Sequence, residues 1–519
     1  MIEDRLEQIN RFVVTAEQMQ AIEERLFKAG MPVAALMEKV AGKITQRILQ
    51  IWQAEAATVQ SIGVLVGPGH NGGDALVMAR ELWFQGYRVK IYCPFSRRKD
   101  LTGSHAQYVG SLRIPIVDDI RLLKDSDVLI DGLFGFGLER EIAGSVAAAI
   151  NELNQWKQPV FSIDLPSGLH TNTGRVMGVA VKATRTFCLG LWKLAFLQDQ
   201  AVEYLGTTEL IDFDIPLVDI KAILGQSATI RRITKQSAIS NLPLPRHPLA
   251  HKYKTGHLLL IAGSRRYTGA AILSGLGARA SGVGMLSIAV PRSIKPLLSM
   301  QLPEALILSC PEYDDGIIRE LPQDVDLNQF DAIACGPGLT TEAMTVVQNV
   351  LNSDRPLVLD ADALNILAQM KPISTLSQRH APTVITPHPG EFKRLFPQLA
   401  IDLTDRILAT QKAAQLSGIV VVLKGARVCV GTSNAVTINP YGTPALARGG
   451  SGDVLTGLMG GLLAPASLAK TSIVNTVHSA LWWHAQAGIK AASERTELGV
   501  DAFTLTQYLN LLDLQDFVQ

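Results

Sequence analysis

Short, almost continuous runs of Val, Ile, Leu and Ala alternate with helix-period stretches through most of this chain. The runs fall at 62–66, 89–92, 128–131, 160–164 and 185–189, then at 258–262, 285–290, 332–335, 357–360, 384–386 and 419–423. An apolar run without polar alternation is a strand buried on both faces, and helices between such strands make a parallel sheet covered on both sides. The fold class is therefore α/β. The alternation breaks between about 217 and 257, where Leu242-Pro-Leu-Pro-Arg-His-Pro blocks regular pairing and reads as a connector. Two domains are expected, 1–228 and 229–519.

Hydrophobic residues make up 47% of the 519 residues and charged ones 18%, enough apolar material for a core in each half. Lys and Arg number 48 against 47 Asp and Glu, a net charge of +1 that argues against a nucleic-acid partner. Cys93, Cys188, Cys310, Cys335 and Cys429 form no C-x-x-C pair, and their number is odd. That pattern suits buried free thiols in a reducing compartment. The opening Met1-Ile-Glu-Asp-Arg lacks an apolar run, and the uncharged stretches within 454–489 are broken by Lys470 and Pro465. The expectation is a cytoplasmic homo-oligomer with no signal peptide and no membrane segment.

In the first half, the run 62–66 leads into Gly67-Pro-Gly-His-Asn-Gly-Gly-Asp74, followed by a helix expected from about Ala75. Glycines at a strand-to-helix turn let backbone N–H groups approach an anion. Gly67, Gly69 and Gly72 fit G-x-G-x-x-G, so a dinucleotide site is one reading, with Arg97 and Arg98 available to a 2′-phosphate of NADP. A tight turn without ligand is the other. Two further strands end in carboxylates, Asp131 before Gly132-Leu-Phe-Gly-Phe-Gly137 and Asp164 before Leu165-Pro-Ser-Gly168. Ligands sit at the C-terminal edge of a parallel sheet, so Asp74, Asp131 and Asp164 are expected to face one crevice. Such a cluster does acid–base work or holds a cation; each Asp alone could simply cap a helix.

Together these three segments resemble the NAD(P)H-hydrate epimerase domain, which interconverts the R and S forms of NAD(P)H hydrated at C6 of the nicotinamide ring. The resemblance implies a Rossmann-like three-layer αβα sandwich. It implies substrate contacts from His70, Asn71, Gly72, Gly73 and Asp74, from Gly135, Phe136, Gly137, Leu138, Glu139, Arg140 and Glu141, and from Asp164. It also implies a potassium ion on Asn71, Asp131 and Ser167, with Asp131 as catalytic acid/base. The sequence departs from the usual pattern at His70, Ala75 and Phe136.

In the second half, Gly449-Gly-Ser-Gly-Asp453 precedes a helix starting near Asp453. Bare amides and the positive helix end suit a transferring phosphoryl group, and Asp453 is placed to take a proton from a substrate hydroxyl. No G-x-x-x-x-G-K-[ST] occurs, which excludes a P-loop. His388, between Pro387 and Pro389, is either structural or a ligand contact. Arg448 either meets a phosphate or crowds it. Trp482, Trp483, His478 and His484 on a helical pattern read as core packing.

This segment resembles the ribokinase-like superfamily, and more narrowly the ADP/ATP-dependent NAD(P)H-hydrate dehydratases. Ala262-Gly-Ser-Arg-Arg-Tyr-Thr-Gly-Ala-Ala271, Cys335-Gly-Pro-Gly-Leu339, Asp360-Ala-Asp-Ala-Leu-Asn365, Thr386-Pro-His-Pro-Gly-Glu391 and Leu423-Lys-Gly425 support the narrow reading. It implies substrate contacts from Ala270, Ala271, Gly338, His388 and Asp453. The implied nucleotide contacts are Lys424, Gly425, Ala426, Arg427, Val428, Gly450, Ser451 and Gly452, with Mg²⁺ accompanying ADP. Asp453 would be catalytic. The implied function is repair of hydrated NADH and NADPH: R-to-S epimerisation by the first domain, then ADP-dependent dehydration of the S form by the second, giving NAD(P)H, AMP and phosphate. The alternatives are a ribokinase-type kinase of a vitamin precursor fused to a non-catalytic binding domain, and an NADP oxidoreductase.

Overall fold

The computed structural model describes residues 5–225 and 228–511. The charged opening Met1–Asp4 lies outside the described residues. The chain divides into two compact units, Met1–Ile230 and Arg231–Gln519.

The first unit is built on β1 (Ser61–Val66), β2 (Arg88–Tyr92), β3 (Ile116–Val117), β4 (Val128–Gly132), β5 (Val160–Ile163), β6 (Arg185–Leu189) and β7 (Thr207–Ile211). Their order across the sheet is β3-β2-β1-β4-β5-β6-β7, with every neighbouring pair parallel. Side chains alternate between two cores, as the strand period of two requires. Ile62, Val64, Val66 and Ile130 pack with the Val33–Ala54 and His70–Phe84 helices. Leu65 and Leu129 pack on the opposite face, with Ile150 and Leu153 of the Gly144–Leu153 helix. The result is a three-layer αβα sandwich.

A separate parallel pair joins Val13–Val14 to Trp192–Lys193, with Val14 opposite Lys193. It fixes the start of the Ala16–Lys28 helix, whose Thr15 cap is completed by Gln18 in a reciprocal capping box.

The second unit carries β8 (Ile230–Arg232), β9 (His257–Ile261), β10 (Met285–Pro291), β11 (Leu306–Cys310), β12 (Ala332–Cys335), β13 (Leu357–Leu359), β14 (Thr383–Ile385), β15 (Val420–Leu423), β16 (Val428–Gly431) and β17 (Val436–Asn439). The sheet order is β8-β17-β16-β15-β14-β13-β12-β9-β10-β11. Strands β9 to β15 pair in parallel, and β15, β16 and β17 form an antiparallel meander at one end. Helices Thr268–Ala280, Ser451–Leu468 and Ile473–Arg495 bury their apolar sides against Leu258, Leu260, Ala334 and Val358. The result is a second α/β unit, a mostly parallel sheet packed against helices. Among the described residues no helix is long and apolar enough to cross a membrane.

The structure corrects three local expectations. The first-half helix starts at His70, not near Ala75, because Gly69 serves as its N-cap, so His70–Asp74 occupy its opening turns. The stretch expected as a bare connector holds the helices Leu217–Leu224 and Lys235–Ile239 and the strand β8. Thr234 supplies a side-chain cap for the second of these helices ahead of the prolines. The meander strands were missed because β16 and β17 are only four residues each, and β17 alternates apolar with polar residues.

Candidate functional site

The glycines after β1 divide into two kinds. A Cβ at Gly67 would collide with the Leu133 carbonyl, one at Gly72 with the Gly67 carbonyl, and one at Gly73 with the Met37 thioether. At Gly69 nothing lies within 4 Å. Gly67 and Gly72 let the end of β1, the residue after β4 and the His70–Phe84 helix close on one another, Gly73 lets that helix approach Met37 of the Val33–Ala54 helix, and Gly69 faces open space.

Asp131 ends β4 opposite Ser162 of β5. It is completely enclosed and accepts four hydrogen bonds: from Ser167 Oγ (2.6 Å), Leu133 N (3.3 Å), Ser162 Oγ (2.8 Å) and Ser167 N (2.9 Å). Burial pushes its carboxyl up, while the Ser167, Ser162 and Leu133 donors pull the other way. Both lone pairs of each oxygen are thereby engaged.

Asp164 follows β5 with φ +67°, a left-handed conformation that Asp tolerates better than most residues. Its Oδ2 accepts from Phe136 N (3.0 Å) and its Oδ1 from Lys193 Nζ (2.5 Å). Lys193 is fully buried, also donates to the Leu189 carbonyl (2.5 Å), and lies 5.6 Å from the Phe136 ring centroid. Asp131, Ser167 and Asp164 thus grip one loop through the N–H groups of Leu133, Phe134 and Phe136. Thr171 holds the Phe136 carbonyl at 2.6 Å. Gly135 sits where a Cβ would press on Asp164 Oδ2 and on the Asn71 amide, both within about 3.3 Å. Gly137, Glu139, Arg140 and Glu141 are exposed, and Leu138 packs against the core.

Asp131, expected to face one crevice with Asp74 and Asp164, is instead sealed inside its own hydrogen bonds. Asp74 is buried, accepts no hydrogen bond from the described chain, and has its carboxyl driven far up by burial, by Asp164 and by Glu23. Glu23 projects from the Ala16–Lys28 helix. Burial pushes it up to about 7, with Lys193 and Lys99 opposing and Asp164 assisting. His70 is exposed at the head of the helix, and partial burial of its ring, then Lys99, hold its imidazole below its ordinary value. Sequence reasoning missed Glu23 and Lys193. The available signal for Glu23 was an acid on the apolar stripe of its helix, between Met19, Ile22 and Leu26.

In the second unit the helix Ser451–Leu468 begins behind Gly450, whose φ of +90° only glycine adopts freely. Its first-turn N–H groups lack intrahelical acceptors and point at the loop. Asp453 lies in that turn, half-buried and without a hydrogen bond in the described chain. Its carboxyl is raised to about 7 by burial and by Asp360 and Asp362, with Lys424 opposing. Beneath Gly452, Lys424 Nζ donates to Asp360 Oδ1 (2.7 Å) and Thr456 Oγ1 to Asp360 Oδ2 (2.7 Å). Burial disfavours the Lys424 ammonium, but Asp360, Glu391 and Asp453 outweigh it and raise its pKa.

Gly338, at φ +68°, abuts Ala270 and Tyr267. Ala271 instead is fully buried under Gly263 and offers no surface to a ligand. His388 caps the helix Pro389–Leu395: its Nδ1 accepts from Gly390 N (2.9 Å), and Glu391 Oε2 accepts from His388 N (2.8 Å). Its ring stays half exposed, so capping and ligand contact are compatible.

Arg406 is buried under Gly425 and donates to the Lys424 carbonyl (2.7 Å). Arg427 ties to the Pro440 carbonyl (2.6 Å), with Ala426 exposed and Val428 opening β16. Arg448 turns to the carbonyls of Leu498 (3.2 Å) and Val500 (2.9 Å). His484 was read as core and is buried, yet its Nε2 lies 3.0 Å from the Ser451 carbonyl, directly behind the loop. Among the described residues no group of three or more His, Cys, Asp or Glu is arranged to hold a metal ion.

Two parallel-sheet units, each with an unpartnered carboxyl near a glycine-rich turn, define a two-domain α/β enzyme. Residues 33–195 match the family described as YjeF-related protein N-terminus, and residues 258–511 match NAD(P)H-hydrate dehydratase. The bifunctional NAD(P)H-hydrate repair enzyme of Thermosynechococcus vestitus is 50% identical over 491 residues, 94% of each chain. That of Synechocystis is 51% identical over 500 residues, 96% of this chain and 94% of the other. The crystal structure of the ADP/ATP-dependent NAD(P)H-hydrate dehydratase of Bacillus subtilis, co-crystallised with ATP and Mg²⁺, is 30% identical. It covers 55% of this chain and 97% of that one, with a TM-score of 0.46. The chain belongs to the family of bifunctional NAD(P)H-hydrate repair enzymes.

Proposed function

We propose that the first unit epimerises (R)- to (S)-NAD(P)H-hydrate and that the second dehydrates the S form with ADP, releasing NAD(P)H, AMP and phosphate. The observation that carries this reading is Asp453: a carboxyl without hydrogen bonds, in the first turn of a helix that follows bare glycines. Hydroxide is a poor leaving group, so the C6 hydroxyl must first be phosphorylated. Asp453 would take the hydroxyl proton as the oxygen attacks the terminal phosphorus of ADP. The N–H groups of Gly450 and Gly452 would meet the charge on the phosphoryl oxygens. Loss of phosphate and of a proton from C5 then restores the ring double bond.

Magnesium would travel on the nucleotide phosphates, which need only one or two protein carboxylates. Glu391 suits this role, since its Oε1 has only a 3.4 Å contact with His388 Nε2 and lies beside Lys424. In the first unit the potassium ion that the resemblance implies on Asn71, Asp131 and Ser167 meets side chains already committed: all four acceptor positions of Asp131 are filled, and the polar atom left unpartnered at Asn71 is Nδ2, a donor that a cation does not satisfy. The side chains as arranged do not fit the ion. Five buried free cysteines agree with a cytoplasmic setting.

The test is to add ADP and Mg²⁺ to a mixture of R and S hydrates and follow the reduced-nicotinamide absorbance. Full recovery faster than spontaneous epimerisation supports both activities. A kinase of another alcohol would leave the hydrate untouched, an outcome that the full-length relatives argue against.

A further inference from the structure

The reacting ring of the hydrate is attached through its ribose to a pyrophosphate, and each of those phosphates is negatively charged. Most cations of the second unit's loops are already committed. Lys424 pairs with Asp360, Arg427 bonds the Pro440 carbonyl, and Arg448 bonds the carbonyls of Leu498 and Val500. Arg265 bonds the Asp314 carbonyl (2.9 Å). Arg394 differs. It is exposed on the Pro389–Leu395 helix, and its Nε donates to Asn365 Oδ1 (3.0 Å). Among the described residues its terminal nitrogens, Nη1 and Nη2, have no hydrogen-bond or ion-pair partner.

The guanidinium is nevertheless held. Thr340 N donates to Asp362 Oδ2 (2.9 Å), Asn365 Nδ2 donates to Asp362 Oδ1 (3.4 Å), and Asn365 Oδ1 then receives Arg394 Nε. This relay runs from the loop after β12, through the Asp362–Ala368 helix after β13, to the helix after β14. A fork fixed at Nε presents its outer N–H groups together, the geometry that a phosphate accepts from two donors at once. Beside it Gly390 leaves room: a Cβ there would stand 2.7 Å from His388 Cε1 and 3.9 Å from Arg394 Nη1. Because His388 Nδ1 accepts from Gly390 N (2.9 Å), the neutral ring carries its hydrogen on Nε2, on the half-exposed side chain. Glu391 is the carboxylate beside His388, and Lys424 and Arg394 offset its charge.

We propose that Arg394 binds the pyrophosphate of the hydrated dinucleotide in the second unit, with the His388 Nε2–H next to it, and so selects the dinucleotide over the bare ring. This rests on the dehydratase reading of that unit. Gly338 and His388, both expected to meet the hydrate, lie at the two ends of the relay that holds Arg394. The residues expected to meet ADP lie elsewhere, after β15 and ahead of the Ser451–Leu468 helix.

The experiment uses the full-length chain with ADP and Mg²⁺. It sets the S hydrate of NADH against the hydrate of reduced nicotinamide riboside, which has no phosphate. Arg394→Ala should raise KM for NADH hydrate by about 10–100-fold, the loss expected for charge-assisted hydrogen bonds, with kcat unchanged. For riboside hydrate its KM should equal the parent's; where turnover is slow, the inhibition constant against NADH hydrate is compared instead. Arg394→Lys keeps the charge and loses the fork, so it should recover part of the loss. A parental KM for NADH hydrate overturns the proposal. So does an equal loss on both hydrates, which would make Arg394 a structural tie to Asn365. A rise in KM confined to ADP, or confined to NADPH hydrate, overturns it too. If the parent itself does not regenerate NADH from the hydrate with ADP, the dehydratase reading falls and takes the proposal with it.

Discussion

Lys424 and Asp360 form a largely buried ion pair, Nζ to Oδ1 2.7 Å, immediately beneath the loop that leads into Asp453. The same Asp360 receives the Thr456 hydroxyl, which also bonds the Gly452 carbonyl (3.0 Å), so one carboxylate fixes both the cation and the loop. Their opposite charges act on Asp453 in opposite directions: Asp360 raises its pKa and Lys424 lowers it.

The dehydratase rate should therefore rise with pH through about 7, as Asp453 ionises and becomes a base. Lys424→Met removes the lowering charge, and the midpoint should move alkaline. Asp360→Asn removes a raising charge, and the midpoint should move acid. Asp453→Asn should cost about 10²–10⁴-fold in kcat. Rate profiles of the three variants on S hydrate check this, and midpoints that coincide with the parent's would refute the assignment of Asp453 as base.

The glycines after β1 make a second prediction. Gly72→Ala forces a Cβ onto the Gly67 carbonyl, whereas Gly69→Ala enters open space at an ordinary φ of −95°. Gly72→Ala should lower the unfolding midpoint of the first unit and abolish epimerisation. Gly69→Ala should leave stability unchanged and weaken only substrate affinity. Equal effects of the two on denaturant unfolding would contradict the packing described.

Lys193 lies with no exposed surface against Asp164. Lys193→Met strands a buried carboxylate, which typically costs about 3–5 kcal/mol. Asn keeps the left-handed backbone of Asp164 accessible, so adding Asp164→Asn should restore much of that loss. Urea unfolding of the single and double variants measures it. A single variant as stable as the parent would mean that the pair contributes nothing net.

The central buried strands and both glycine turns were legible in the sequence because apolar runs and Gly/Asp punctuation are local signals, whereas the shorter or edge strands β3, β7, β8, β11, β16 and β17 carry shorter or mixed runs and were missed. Asp453 was legible for the same reason, lying next to its glycines. Glu23 was not: it sits some fifty residues before Asp74, and its helix is placed by long-range contacts, the Val13–Val14 ladder to Trp192–Lys193, the Asn172 amide oxygen on Ala16 N, and the Arg25–Asp219 pair. Lys193 reads as one cation among 48 Lys and Arg until burial singles it out. Asp131 was legible in place, but its four hydrogen bonds depend on β5 and the Ser167 turn, which no local pattern encodes. His484 reads as core because its partner, the Ser451 carbonyl, is 33 residues away in sequence.

That contact yields a pH dependence of stability. His484 is buried and donates from Nε2 to the Ser451 carbonyl in its neutral form, and burial drives its pKa down to about 4. The unfolded chain binds the proton at about 6.5, the folded one only near 4, so the second unit loses stability as pH falls between these values. At about 1.4 kcal/mol per pH unit, the loss comes to about 3 kcal/mol. Above 6.5 the contribution is constant. His484→Gln keeps an N–H donor but has no proton to gain. Urea unfolding of parent and variant between pH 7 and pH 4 should therefore give curves that converge or cross on acidification, the parent falling more steeply. Parallel curves would show that His484 is protonated as readily in the fold as outside it, and that the contact behind the glycine loop does not depend on a neutral ring.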